Sequence, residues 1–235
     1  YSFGTYESMP YILLNYQDRL RDVFTLVHEM GHSMHSHYTR KHQPFVYGGH
    51  SIFTAEVAST VNEMLLNHYL LKNAKDREEK LYLLNMYLEG FRTTLFRQTM
   101  FAEFELLTHE AVENGEVLTA EFLSSQYADL NRKYFGENTI IDDNIAMEWA
   151  RIPHFYSAFY VYKYATGYSA ANAIARKILD EGETQAQNYL EFLKSGKSNY
   201  PIELLKVAGI DMSQKEPVEL AMETFKALVE EFDNL

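Results

Sequence analysis

The 235-residue chain contains no cysteine. That excludes disulfides, thiolate metal sites and cysteine nucleophiles together, and it suits a reducing, cytoplasmic setting. Proline and glycine are sparse, at 5 and 11 residues, so regular structure meets few obligatory breaks. No apolar run approaches the roughly 20 residues needed to span a bilayer. The opening segment, YSFGTYESMPYILLNY, lacks the basic-then-apolar order of a signal peptide and begins without an initiator methionine. It reads as the interior of a longer protein, which suggests a fragment or a processed chain. Positive charge is also scarce: 21 Lys and Arg stand against 33 Asp and Glu, a net charge of -12. Such a surface repels a phosphate backbone and an anionic leaflet, so neither nucleic acid nor a membrane is an expected partner. A peptide is not excluded.

What is present is a helical pattern. Apolar residues make up 46% of the chain and recur at three- and four-residue intervals over long stretches, which predicts a mainly α-helical protein. A first helix is expected from about Gln17 to Thr39, with Leu20, Val23, Phe24 and Val27 as its apolar stripe. Lys41 to Ser51, with Pro44 and Gly48-Gly49, reads as a loop, and Ile52 to about Leu71 as a second helix. A long periodic run covers Asp76 to Glu113 and ends at Asn114-Gly115. Thr119 is an N-cap candidate for a helix over Ala120 to Tyr134. An aromatic helix is expected from about His154 to Leu179, followed by shorter helices after Gly182, Pro201 and Pro217. With no repeat and no linker, one domain over 1–235 is the default.

The string His28-Glu29-Met30-Gly31-His32 carries the chemistry. Residues four apart on a helix sit one turn above each other, so both imidazoles can hold one ion. Glu29 is offset toward the open side of that ion, where a carboxylate can take a proton from water and return it to a leaving amine. Imidazole suits zinc, and catalytic zinc commonly keeps three protein ligands and one open position. The alternative is a solvated histidine-rich helix, which the apolar Phe24, Leu26 and Val27 disfavour. Gly31 points the same way. An interior glycine costs about 1 kcal/mol in a helix and implies close approach by another element.

A third ligand must come from elsewhere. Metzincin spacing would place glycine at position 35 and histidine at position 38, where the chain has His35 and Tyr38. Glu56 lies 24 residues after His32 in Phe53-Thr54-Ala55-Glu56-Val57-Ala58-Ser59-Thr60, where a carboxylate among apolar neighbours needs a partner. Zinc would be that partner. Glu63, two turns on, is either the rival ligand or a group that orients His28 or His32. His35 and Asp22 fit a hydrogen bond near the site or a surface or capping role equally well. His109 reads as an ordinary satisfied or solvated histidine.

The segment Arg151 to Tyr164 is unusually aromatic. Peptide hydrolysis passes through an oxyanion that needs a donor besides the metal, and a tyrosine or histidine can supply it. The same residues could equally be core, and spacing alone does not choose among the tyrosines.

Together, His28 to Ser36, Phe53 to Thr60, and His154-Phe155-Tyr156 through Tyr164-Ala165-Thr166-Gly167 resemble the M3 family of zinc metallopeptidases, closest to its oligoendopeptidase F branch. Pro10 to Tyr16 and Arg97 to Glu105 resemble that branch too. The resemblance implies a zincin-like active-site helix within a helical bundle around a substrate cleft, and one Zn2+ per chain. It places the zinc ligands on His28, His32 and Glu56 and the general base on Glu29. A substrate-contacting histidine falls on His154 and an oxyanion-stabilising tyrosine on Tyr162, with Tyr160 and Tyr164 as close competitors. Gly48-Gly49-His50 resembles a loop bordering the cleft. The family's activity implies endopeptidase action on short unstructured oligopeptides in the cytoplasm. Family members are much longer, so the chain resembles their C-terminal catalytic part, against which a missing N-terminal part of the same protein would pack. A zinc carboxypeptidase or a non-cleaving peptide-binding domain are the alternatives. Intact Glu29 speaks against the latter, because metal binding does not need it.

Overall fold

The apolar periodicity resolves into helices joined by short turns. The computed structural model describes residues 1–235. A two-residue antiparallel ladder, β1 (Ser2–Phe3) with β2 (Tyr11–Ile12), precedes α1 (Leu20–His42) and α2 (Ile52–Lys72). Next come α3 (Arg77–Gly90), a π-helical turn at Phe91–Phe96, α4 (Arg97–Glu113), α5 (Ala120–Phe135) and the short α6 (Asp143–Ala146). Two 3-10 turns, Glu148–Arg151 and Pro153–Tyr156, lead to α7 (Tyr162–Glu181), α8 (Glu183–Lys194), α9 (Pro201–Val207) and α10 (Glu216–Asp233). No helix is long and apolar enough to cross a membrane. Thr119 caps α5 as expected, accepting the Phe122 amide at 3.2 Å. One expected boundary is wrong. The helix read from His154 begins only at Tyr162, because Phe159 has φ +54 and helical geometry cannot pass through it.

The chain divides into two compact units, Tyr1–Glu89 with Thr166–Leu235, and Gly90–Ala165. In the first unit α1 and α2 run antiparallel, since His28, Gly31 and His32 meet Glu63, Ser59 and Glu56 in reverse order. Gly31 is where they come closest. A Cβ built on it would lie 2.6 Å from Ser59 Cα, so the glycine is required by the approach of the second helix backbone. On α2, Val57, Ala58 and Val61 are fully buried. Behind this pair, α8 is tied on by Tyr189, which donates to Ala58 O at 3.0 Å, and by Leu193 O, which accepts from the Thr39 hydroxyl at 2.8 Å. A small-residue stretch of α7, from Ala170 to Ala175, is buried in the same core.

In the second unit Met100, Phe101, Phe104, Tyr127, Leu130, Ile152 and Val161 form a core of their own. Its polar centre is Glu148, which takes hydrogen bonds from Arg97, Arg151 and, at 2.6 Å, the Tyr127 hydroxyl. A buried carboxylate is tolerable when its oxygens are paired in this way.

Candidate metal centre

Helix α1 is set in place before its histidines are reached. The Asp22 carboxylate accepts the backbone N–H groups of Gln17 (2.9 Å) and Arg19 (3.1 Å), which holds its pKa below the usual carboxylate value. Asp22 thus caps the helix entry, which resolves its open role in favour of capping. Six and ten residues later, His28 and His32 lie on one face with ring centroids 4.7 Å apart.

Opposite them, α2 supplies Glu56. Its carboxylate oxygens stand 3.5 Å from His28 Nε2 and 3.8 Å from His32 Nε2. One ligand atom from each of the three residues falls within a 4.8 Å cluster. Two donors at about 2.0–2.1 Å from one tetrahedral ion are themselves about 3.4 Å apart, so the set is close to coordination spacing. Contrary to the expectation of a buried carboxylate, the Glu56 side chain is 45% exposed, so burial does not force it to find a partner. Position, rather than desolvation, singles it out.

Glu63 approaches from the other side. Its Oε1 accepts from His28 Nδ1 at 2.6 Å. With the proton held on Nδ1, the His28 Nε2 lone pair points toward Glu56 and His32. Burial pulls the His28 pKa down, but the Glu63 hydrogen bond and the charges of Glu63, Glu56 and Glu29 outweigh it, and the net shift is upward. His32 moves the other way, lowered by burial and then by His28, which favours the neutral imidazole a metal requires. Glu29, one position after His28, has a side chain only 14% exposed. Two imidazoles, a carboxylate and an orienting second carboxylate form a donor set that can coordinate a divalent metal ion, and its chemistry suits zinc.

His35 was expected either at the surface or hydrogen-bonded near the site; it is buried instead, at 1% exposure. Its ring stacks on His50 at 4.2 Å and 12°, beside Phe192. Burial drives the pKa of His35 far down and takes that of His50 to about 4. Both rings are therefore neutral packing elements behind the histidine face. Three-residue spacing from His32 did not show that α8 covers His35, and nothing in spacing identified His50 as its partner.

His154 and Tyr162 belong to the second unit. His154 lies in the Pro153–Tyr156 turn. Its ring stacks on Tyr160 at 5.4 Å and meets Tyr164 edge-on at 5.6 Å, with the Tyr164 hydroxyl 3.4 Å from His154 Nε2. Tyr162 is the first residue of α7 and is 46% exposed. The structure therefore brings Tyr160 and Tyr164, the competitors, against the His154 ring.

The model of peptidase family M3 matches residues 1–224. The chain belongs to peptidase family M3. Across all 235 residues it is 56% identical to oligopeptidase PepF of Bacillus subtilis and 50% identical to the chromosomal oligoendopeptidase F of Lactococcus lactis subsp. cremoris. It spans 35% and 39% of the lengths of those two relatives. The crystal structure of oligoendopeptidase-F from Enterococcus faecium superposes with a TM-score of 0.83 at 48% identity, over 92% of this chain and 39% of that one. The mainly helical M3 architecture and the clustered His28, His32 and Glu56 thus agree with the family assignment.

Proposed function

We propose that this M3 chain is the catalytic part of a zinc endopeptidase that cuts short, unstructured oligopeptides in the cytoplasm, with one zinc per chain held by His28, His32 and Glu56. The observation that carries this reading is the convergence of His28 Nε2 and His32 Nε2 on the Glu56 carboxylate while Glu63 holds His28 Nδ1. Zinc bound there supplies Lewis acidity toward water and the scissile carbonyl. The protein supplies the rest. Glu63 fixes the His28 tautomer, and the Glu29 carboxylate takes the proton of the attacking water and delivers it to the leaving nitrogen. His154 and Tyr162 donate hydrogen bonds to the oxyanion, with Tyr160 and Tyr164 as alternative donors. On this reading a further, N-terminal part of the same protein packs against this one and completes the cleft, in keeping with relatives of which this chain spans 35% and 39%. The names of those relatives, oligopeptidase and oligoendopeptidase, support oligopeptides as the substrate class.

The test is Glu29→Ala in zinc-loaded protein, assayed on a quenched fluorescent octapeptide with a blocked C-terminus. Zinc content is expected to stay at one equivalent while turnover falls at least a hundredfold. Equal turnover in both proteins would remove Glu29 as the base. Cleavage of the free-acid peptide alone would favour a carboxypeptidase instead.

A further inference from the structure

Phe159 is one of two non-glycine residues with positive φ, at +54, a conformation in which a bulky residue is uncommon and strained. Its side chain is 45% exposed. A surface reversal of this kind ordinarily takes glycine or asparagine, so something else must hold it. That holder is Glu105 on α4. The carboxylate is buried, at 3% exposure, and its Oε1 accepts the Phe159 backbone N–H at 2.7 Å. One turn further along α4, His109 donates Nδ1–H to Glu105 O at 2.8 Å and lays its ring against the Phe159 ring at 4.6 Å. Two successive turns of one helix thus grip a single strained residue.

What the strained residue accomplishes is local. Ser157 N–H donates to His154 O, and Tyr160 N–H donates back to Ser157 O at 3.1 Å, so the chain reverses between His154 and Tyr160. Their rings end nearly parallel, 10° apart, with Tyr164 closing the third side at 5.7 Å from Tyr160. Phe155, next to His154, is anchored by Phe101 and Phe104 from the same α4 that carries Glu105. Helix α4 therefore fixes both ends of the loop, through apolar contacts at Phe155 and through one carboxylate at Phe159.

We propose that Glu105 is a positioning residue that sets the orientation of His154 and of Tyr160 and Tyr164 by holding Phe159 in its left-handed conformation. Burying a carboxylate is costly unless its oxygens are paired, and the Phe159 amide is a partner that Glu105 finds here at 2.7 Å. The role of His154 in turnover rests on the peptidase reading; the positioning of its ring does not.

The experiment compares the full chain, loaded with zinc, with Glu105→Ala and Glu105→Gln. Glutamine keeps an oxygen acceptor of the same reach. Two readouts are taken: the ring resonances of His154 in histidine-labelled 1H–13C spectra, assigned with His154→Gln, and kcat and KM on a quenched peptide. In Glu105→Ala the His154 resonances are expected to shift toward unstacked values, and kcat to fall tenfold or more with zinc content unchanged and KM within about threefold. Glu105→Gln should restore both. Unmoved His154 resonances in Glu105→Ala would overturn the proposal. If Glu105→Ala does not fold, Glu105→Asp replaces it, since the shorter side chain keeps the charge but withdraws the acceptor; a wild-type His154 environment in that variant would equally overturn it. Absence of turnover in the unaltered chain would count against the peptidase reading and leave the spectra to decide the role of Glu105.

Discussion

His28 Nδ1 lies 2.6 Å from Glu63 Oε1, and the same ring turns its Nε2 to within 3.5 Å of Glu56. One imidazole thus bridges two carboxylates seven residues apart on α2, one on each ring nitrogen. The two acids which the sequence left as rivals take different parts: Glu56 shares the space facing both Nε2 atoms, and Glu63 holds the far side of His28.

If Glu63 orients His28, its replacement by alanine should weaken zinc binding without abolishing it. Losing such an outer hydrogen bond commonly costs about 10- to 100-fold in metal affinity. Competition with a chelating indicator should place Glu63→Ala in that range and Glu63→Gln, which keeps an acceptor, nearer to wild type. Affinity unchanged in Glu63→Ala would show that the hydrogen bond does not prepare the ligand.

Gly31→Ala should destabilise the protein although alanine favours helices. Propensity alone gives alanine an advantage of about 1 kcal/mol. The added Cβ, however, would meet the Ser59 Cα at 2.6 Å and Ala58 O at 3.0 Å, and these are backbone atoms that cannot rotate away. Overpacking of that kind costs about 1–3 kcal/mol, so the net change should be a loss. Urea denaturation of the zinc-free proteins measures it, and a raised midpoint for the variant would contradict the close packing of α1 on α2.

The stacked His35 and His50 make a prediction for acid. Their folded pKa values lie below the ordinary 6.5, that of His50 at about 4, because burial opposes the charged form. The unfolded chain therefore binds protons first as pH falls. For His50 the stability from keeping its ring neutral is present above pH 6.5 and is lost as pH falls from 6.5 to about 4; that of His35 is likewise lost as pH falls below 6.5. For His50 that loss is on the order of 2–3 kcal/mol near pH 4. Urea midpoints of zinc-free protein at pH 7 and pH 4.5 should differ more for wild type than for His50→Gln. Equal differences would mean that His50 is solvated.

Much of this site was legible because it is local. His28 and His32 are one helical turn apart, so helix geometry alone predicts their common face with Glu29 offset beside it, and Gly31 announced the approach of a second helix. The cap at Thr119 was equally local; the one at Ser51, which accepts the Thr54 amide at 3.2 Å, was passed over as the end of a loop. Contacts between distant segments were harder to read. The carboxylate of Glu105 and the amide of Phe159 are 54 residues apart, and no periodicity links them. Positive φ at Phe159 was invisible too, because phenylalanine carries no sign of a chain reversal and the aromatic pattern around it continues as if helical. Glu56 was placed correctly in space by an argument from burial that its 45% exposure does not sustain. Its resemblance to the ligand position of the M3 family was the stronger ground.

The central claim is a three-residue zinc centre on α1 and α2. Elemental analysis of zinc per chain after exhaustive dialysis, comparing the unaltered protein with Glu56→Ala, tests it most directly. The account predicts one equivalent in the unaltered chain and a sharp fall in the variant. One equivalent retained in both would contradict it, leaving His28 and His32 with a different third ligand.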